Sequence, residues 1–289
     1  MHENATPRRT AAGTLTRGVL LRRVGMGAGA ALAAATLSST PTLSIEKAVA
    51  ATTRRSAMQA QSTIVLVHGA FADGSSWSKV SQRLQAAGHR VIAVQLGLTG
   101  LADDIALTRS VLAAEAGPTV LVGHSYGGMV ITGAGVGFPR VHTLVYVAAC
   151  APDQGQAVPD AVAGFPAAPG NAHYIPDYRK GFLRVDPAAY PGVFMQDVNP
   201  MEARALAATQ KPAAAAAFGA KSGPPAWRTL PSWYLVSEDD RMINPDAQRA
   251  MAKRIGATTV SLRGASHASM IAHPGEVADA IQNASRVIR

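Results

Sequence analysis

The stretch Gly123-His124-Ser125-Tyr126-Gly127 has the pattern G-x-S-x-G, and its surroundings are those of a strand, a sharp turn and a helix. The apolar run before it predicts a buried strand, and the apolar spacing after it predicts a helix. Such a turn strains the backbone of its central residue, and flanking glycines accommodate the strain because they lack side chains. The stretch therefore predicts that the Ser125 hydroxyl projects from a sheet edge beside the N–H groups that begin a helix.

On both sides of this turn, short apolar runs alternate with amphipathic segments. This order predicts an α/β fold with a roughly six-stranded, mainly parallel sheet and helices on both faces. The predicted strands are residues 63–67, 90–95, 118–122, 141–148, 232–236 and 258–262. The predicted helices are residues 77–87, 101–116, 126–136, 245–255 and 274–287.

Residues 150–229 interrupt the alternation with proline and aromatic side chains. We interpret them as a helical cap inserted between two parts of the core, residues 63–149 and 230–289. Within the cap, residues 201–209 and 213–220 are predicted helices, the second because alanine favours helix by propensity alone.

A serine hydroxyl is a weak acid, so Ser125 needs a positioned base to act as a nucleophile. The carboxyl ends of parallel strands share one sheet edge, so residues that follow different strands converge there. His267, after the last strand, is the predicted base. Glu238, Asp239 and Asp240, after the fifth strand, are candidates to orient its ring, and Glu238 is the least suited because it lies closest to the strand end.

Four segments make the chain from residue 63 to 286 resemble the α/β-hydrolase superfamily, and within it the compact group of plant hydroxynitrile lyases, methyl-ester esterases and their bacterial relatives. They are residues 67–71 continuing to 77, residues 123–128, residues 239–243 with Pro245, and residues 264–267. The resemblance implies that Asp240 is the aspartate of a Ser-His-Asp triad. It also implies that the backbone N–H groups of Ala70 and Tyr126 form an oxyanion hole.

The chain departs from the lyases of this group at two positions. They resemble one another in having a lysine after the catalytic histidine and a threonine in the first motif, where this chain has Ala268 and Gly69. Cleavage of a cyanohydrin needs a positive group for the departing cyanide, so the departure favours ester hydrolysis. The predicted function is a serine esterase that cleaves small to medium, mostly uncharged carboxylic esters through an acyl-enzyme. A lactonase, a cofactor-free perhydrolase, a hydroxynitrile lyase and a non-enzymatic small-molecule receptor are the alternatives.

Three residues are predicted to line the substrate pocket: Phe71 beside the oxyanion hole, His124 beside the nucleophile, and Trp227 in the cap. Cys150 is interpreted as a buried structural thiol, because no histidine is placed to activate it. The sequence has no cysteine and histidine cluster with zinc spacing, so it predicts neither a metal nor a cofactor.

Two thirds of the net charge of +9 lies near the start of the chain, where residues 1–50 hold six basic and two acidic residues and Arg54-Arg55 follow. Arg22-Arg23 precede the uncharged residues 24–37, and Ala48-Val49-Ala50 offers small residues for cleavage. This arrangement resembles a twin-arginine export signal. We therefore expect residues 1–50 to direct export to the periplasm or medium, with cleavage after Ala50 and a linker over residues 51–62. A disordered N-terminal extension is the alternative.

Scattered charges over the rest of the chain argue against a nucleic-acid partner. The uncharged stretch of the signal is also shorter than the about 20 residues that span a bilayer, so no stable membrane span is expected after its removal. The predicted partner is a small-molecule ester.

Overall fold

A six-stranded parallel sheet forms the centre of the computed structural model, which describes residues 62–286. Its strands are β1 (Thr63–Val67), β2 (Arg90–Val94), β3 (Thr119–His124), β4 (Val141–Val147), β8 (Ser232–Ser237) and β9 (Thr258–Leu262). Their order across the sheet is β2-β1-β3-β4-β8-β9, and every neighbouring pair is parallel. The predicted fold class is confirmed.

The inner strands are mostly apolar because both faces of the sheet are covered. Every residue of β1 and β3 is buried, whereas the edge strands β2 and β9 have exposed positions. β-branched Val, Ile and Thr suit such strands because they pack well on a pleated surface.

Six helices belong to the core: α1 (Ser78–Ala86), α2 (Leu101–Ala114), α3 (Gly127–Ala134), α8 (Pro245–Arg254), α9 (Ser269–Ala272) and α10 (Pro274–Ser285). Helix α1 packs on α10, and α2 packs on α3, so that helices lie on both faces of the sheet. The ends of the predicted core strands and helices agree with the structure to within two residues, and the short α9 and a 3₁₀ helix over Gly74–Trp77 were not predicted.

Residues 148–231, between β4 and β8, are called the insertion below. Their strands are β5 (Tyr174–Pro176), β6 (Phe182–Val185) and β7 (Ala213–Ala214), which form a separate antiparallel sheet. Their helices are α4 (Val158–Ala161), α5 (Tyr190–Phe194), α6 (Pro200–Thr209) and α7 (Ala215–Gly219).

The small sheet was not predicted, and it corrects the helix expected over residues 213–220. Ala213 and Ala214 pair with Leu183 and Phe182 of β6, so the helix begins only at Ala215. Helix propensity is a weak preference, and a tertiary pairing overrides it.

The predicted export signal, and its linker up to residue 61, lie outside the described residues. Within residues 62–286, no helix combines the length and the apolar composition that crossing a membrane requires.

Candidate active site

Ser125 lies on a sharp turn between β3 and α3, with its backbone in the left-handed region at φ 52°. The flanking glycines allow this turn because neighbouring backbone is very close. A Cβ atom at Gly123 would lie 2.6 Å from the Gly127 carbonyl oxygen, and one at Gly127 would lie 2.6 Å from that of Val67. Both distances are shorter than a side chain tolerates, so each position requires glycine.

The structure brings Ser125, His267 and Asp240 together at the carboxyl edge of the sheet. The His267 Nε2 atom lies 2.8 Å from the Ser125 hydroxyl oxygen, and its Nδ1 atom lies 2.7 Å from Asp240 Oδ2. His267 follows β9 and Asp240 follows β8, and both residues are buried. A carboxylate only accepts hydrogen bonds, so Nδ1 carries the ring proton and Nε2 is free to accept the serine proton.

Four donors surround the Asp240 carboxylate. Oδ1 accepts the backbone N–H groups of Met242 at 2.7 Å and Ile243 at 3.0 Å. Oδ2 accepts the side-chain amide of Gln248 at 2.7 Å in addition to His267. The carboxylate is thereby held in one orientation toward the histidine.

Gln248 on α8 is a site residue that the sequence analysis missed. It is fully buried, its Oε1 accepts the Ser237 N–H at 3.1 Å, and its Nε2 also donates to the Ile243 carbonyl at 2.9 Å. These two bonds fix which end of the amide faces Asp240. A glutamine in a polar helix carries no sequence pattern that marks such a contact.

The two competing acidic residues point elsewhere. Glu238 pairs with Arg249, and Asp239 is exposed. Of the three acidic candidates, Asp240 is the one that contacts His267.

The two predicted oxyanion-hole residues line the same cavity as Ser125. Within residues 62–286, neither the Ala70 nor the Tyr126 N–H group donates to another protein group. The Tyr126 hydroxyl donates to Asp104 Oδ2 at 2.9 Å, and Asp104 Oδ1 accepts the Leu98 N–H at 3.0 Å. These bonds anchor Tyr126 from its side chain and leave its N–H group available to a ligand.

A cavity of about 380 Å³ opens above the serine. Its lining contains no Asp, Glu, Lys or Arg, and ten of its seventeen residues belong to the insertion. The lining residues are Ala70, Phe71, Ser125, Tyr126, Cys150, Val158, Pro159, Val162, Asn171, Tyr174, Leu183, Phe194, Ala215, Phe218, Met242, Ile243 and His267. The cavity therefore suits an uncharged, largely apolar ligand.

Aromatic side chains form one wall of this cavity, and Phe71 lies among them as predicted. The Phe71 ring lies 5.4 Å from that of Tyr174 and 5.9 Å from that of Phe218 between centroids. The Tyr190 hydroxyl donates to the Phe71 carbonyl at 3.0 Å, so the insertion also holds the backbone beside the oxyanion hole.

His124 and Trp227 do not line the cavity, which corrects two of the three pocket predictions. The ring of His124 is completely buried beneath the site, where Nε2 donates to the His267 carbonyl at 2.8 Å. Trp227 donates from its indole N–H to the Pro152 carbonyl at 2.9 Å, which ties the end of the insertion to its beginning. Nearness in sequence to the nucleophile, or membership in the insertion, does not direct a side chain into the cavity.

Two buried histidines near the site stay neutral. Burial lowers the pKa of His68 to about 4, and its Nε2 accepts the Leu96 N–H at 3.0 Å while Nδ1 donates to the Gly69 carbonyl. Burial also holds the pKa of His124 well below its usual range. Their roles are to hold loops rather than to transfer protons.

Cys150 is buried at the cavity wall, and burial raises the pKa of its thiol to about 12. A protonated thiol is a poor nucleophile. Over residues 62–286, no group of three His, Cys, Asp or Glu side chains is close enough to hold a metal ion.

A serine on a strand-turn-helix, with a histidine and an aspartate at the same edge of a parallel sheet, is the arrangement of α/β-hydrolases. The chain belongs to the alpha/beta hydrolase family, whose sequence model matches residues 64–280.

The chain is similar to two curated relatives and to one solved structure, as follows. A carbendazim-hydrolysing esterase from Nocardioides sp. (strain SG-4G) is 38% identical over 109 residues, which are 32% of this chain and 44% of that protein. The chain thus spans less than half the length of this relative. Methylesterase 8 of Arabidopsis thaliana is 25% identical over 235 residues, or 74% of this chain and 86% of that protein. The structure of a pyrethroid hydrolase from Sphingobium faniae JZ-2 shares the fold, with a TM-score of 0.66 and 24% identity over 79% of this chain and 98% of that one.

Proposed function

We propose that this protein is a serine esterase that cleaves small to medium, mostly uncharged carboxylic esters. The observation that carries the proposal is the continuous hydrogen-bonded line from the Ser125 hydroxyl through His267 to Asp240, at the floor of an uncharged cavity. The naming of the Nocardioides and Arabidopsis relatives as esterases supports the same reaction class.

In the first half of the reaction, the Ser125 oxygen attacks the ester carbonyl carbon while His267 Nε2 takes the hydroxyl proton. Asp240 holds the ring and stabilises the imidazolium that forms. The negative charge on the former carbonyl oxygen is received by the N–H groups of Ala70 and Tyr126, each of which contributes about 3 kcal/mol in comparable sites. Collapse of this intermediate expels the alcohol, which takes the proton from Nε2 and leaves the acyl group on Ser125.

In the second half, water attacks the acyl-enzyme and His267 Nε2 takes a proton from it. The tetrahedral intermediate again places its oxyanion at Ala70 and Tyr126. Its collapse releases the carboxylic acid and returns the proton to the Ser125 oxygen.

The cavity supports the proposed substrate class. Its volume of about 380 Å³ lies at the small end of ligand pockets, and its walls offer no charged side chain to bind an acid or a phosphate. The absence of a lysine or arginine among the lining residues also argues against cyanohydrin cleavage, because departing cyanide has no cation there. Ten of the seventeen lining residues belong to the insertion, which supports the interpretation of the insertion as a cap over the site.

The test is hydrolysis of p-nitrophenyl acetate and butyrate, combined with labelling by a fluorophosphonate probe. Ser125→Ala is expected to lower turnover by about 10⁴- to 10⁶-fold and to abolish labelling. Ser110→Ala, an exposed serine on α2, is the matched control and should behave as the wild type.

Two results would overturn the proposal. Wild-type protein that neither hydrolyses the esters nor reacts with the probe favours a small-molecule receptor, and cleavage of mandelonitrile by Ser125-dependent chemistry favours a lyase.

We also propose that residues 1–50 direct export, on the strength of Arg22-Arg23 and the uncharged stretch that follows. Cells that express the full chain should export a protein whose first residue is Ala51, as read by N-terminal sequencing. Replacement of both arginines by lysine should leave the uncleaved precursor inside the cell. Equal export of this variant contradicts the proposal.

A further inference from the structure

Three hydrogen bonds tie residues 266–268, at the centre of the loop that carries His267, to three residues outside the loop. The Ser266 N–H donates to Asp197 Oδ2 at 2.8 Å, and the Ala268 N–H donates to the Phe194 carbonyl at 3.1 Å. The His267 carbonyl accepts from His124 Nε2 at 2.8 Å. Three consecutive residues are thus fixed by partners that lie on the nucleophile turn and in the insertion.

The insertion supplies two of these partners through residues 194–197, which we call the strap. Phe194 also presents its ring edge to His267, with centroids 4.7 Å apart and planes at 90°. The Gln196 side-chain amide donates to the Asp239 carbonyl at 2.7 Å, next to Asp240. The strap therefore contacts the loops of both the histidine and the aspartate.

Asp197 is the one charged side chain of the strap, and it is itself supported. Its Oδ2 atom lies 3.1 Å from His273 Nε2, and only 17% of its side chain is exposed. Ser266, which it binds, is fully buried, and a buried N–H group that loses its acceptor is destabilised.

We infer that Asp197 is a positioning residue, which acts through the Ser266 N–H group to keep His267 Nε2 at hydrogen-bond distance from the Ser125 hydroxyl. This inference rests on the proposed function, in which His267 is the base. Without the carboxylate, the buried N–H group loses its acceptor and the loop relaxes to find another. A displacement of about 1 Å at a reacting group costs about 10²-fold in rate, which makes the position of this loop important for turnover.

The experiment compares Asp197→Ala with Asp197→Asn in hydrolysis of p-nitrophenyl butyrate. Asp197→Ala is expected to lower kcat about 10- to 100-fold with KM changed less than about twofold, because alignment and not substrate binding is lost. Asp197→Asn should retain most of the wild-type kcat, because its amide oxygen still accepts the Ser266 N–H. If Asp197→Ala does not fold, Asp197→Ser carries the same prediction, since its hydroxyl is too short to reach Ser266.

Asp153→Ala is the matched control. Like Asp197, Asp153 accepts a backbone N–H group, from Gln154 at 2.7 Å, and contacts a basic side chain, that of Arg228. Unlike Asp197, it does not touch the loop that carries His267. Its loss should leave kcat unchanged. A kcat within twofold of wild type in Asp197→Ala overturns the inference, and so does an equal loss in Asp197→Asn or Asp153→Ala.

Proton NMR separates this inference from the proposed function. The His267 Nδ1–H bonded to Asp240 should give a strongly downfield resonance, assigned by its loss in His267→Gln. We expect that resonance to shift or broaden in Asp197→Ala and to stay unchanged in Asp153→Ala. An unchanged resonance in Asp197→Ala overturns the inference, whereas a wild type without esterase activity overturns the proposed function and leaves this measurement valid.

Discussion

Replacement of Asp240 by asparagine tests the triad most sharply, because the surroundings decide how the new amide must lie. If its oxygen faces His267, its NH₂ group meets the N–H groups of Met242 and Ile243, and two buried donors lose their acceptor. Each such loss costs about 1–3 kcal/mol. If its NH₂ group faces His267 instead, it meets a single further donor, the amide of Gln248. The second orientation is therefore the more stable one.

Gln248 cannot relieve this conflict by turning its amide over. Its oxygen accepts the Ser237 N–H and its nitrogen donates to the Ile243 carbonyl, and both bonds would be reversed. An NH₂ group opposite His267 selects the tautomer with the proton on Nε2, which has no lone pair for the serine proton. The expected loss in kcat is about 10⁴-fold, equivalent to about 5.5 kcal/mol of transition-state stabilisation.

The assay is the initial rate of p-nitrophenyl butyrate hydrolysis, with the rate of fluorophosphonate labelling as a second readout. Asp239→Asn is the matched control, because Asp239 is the exposed neighbour of Asp240 and has the same chemistry. It should keep wild-type rates in both measurements. Asp240 does not orient His267 for catalysis if Asp240→Asn retains more than a tenth of the wild-type kcat, or if Asp239→Asn loses as much.

Three further predictions follow from buried positions near the site. Gly127→Ala should destabilise the fold by about 1–3 kcal/mol in thermal unfolding, because its Cβ has no room, whereas Gly192→Ala, where nothing lies within 4 Å, should not. The free energy of unfolding should fall by about 1.5 kcal/mol between pH 6.5 and 5 through His68, because the unfolded chain binds the proton over this range while the folded pKa is about 4. His68→Gln, which keeps an acceptor for the Leu96 N–H, should remove the His68 share of the fall in urea unfolding and leave the share of the buried His124; an undiminished fall argues against the assignment. Iodoacetamide should label Cys150 about 10³-fold more slowly in the folded than in the urea-unfolded protein at pH 8, because burial raises its pKa to about 12; equal rates contradict this.

Local patterns were sufficient for the core of the fold. The strands and helices of the sheet are predictable because each has a hydrophobic period and a composition of its own, and their alternation favours parallel pairing. The turn at Ser125 is predictable because the pattern G-x-S-x-G lies between a predicted strand and a predicted helix, and a Cβ at Gly123 would meet the backbone of Gly127 only four residues away.

The insertion was harder to predict because its structure depends on pairings between distant residues. Ala213 and Ala214 favour helix locally, yet they join β6 because Phe182 and Leu183 offer them a strand edge. Trp227 is a large aromatic residue in the insertion, which is why it was predicted to line the pocket. Its hydrogen bond to Pro152, 75 residues away in sequence, holds it outside the cavity.

Motif and periodicity are local properties, so the amino-acid sequence was enough to predict the class of fold, the nucleophile and the order of its partners along the chain. The tertiary structure decided which acidic residue meets His267, which aromatic side chains line the cavity, and that Asp197 and Gln248 support the site. These contacts depend on where individual side chains point, and the loops that carry those side chains are far apart in sequence. The role of a carboxylate depends on the hydrogen-bond donors around it. These donors come together only when the strands pair in the folded sheet.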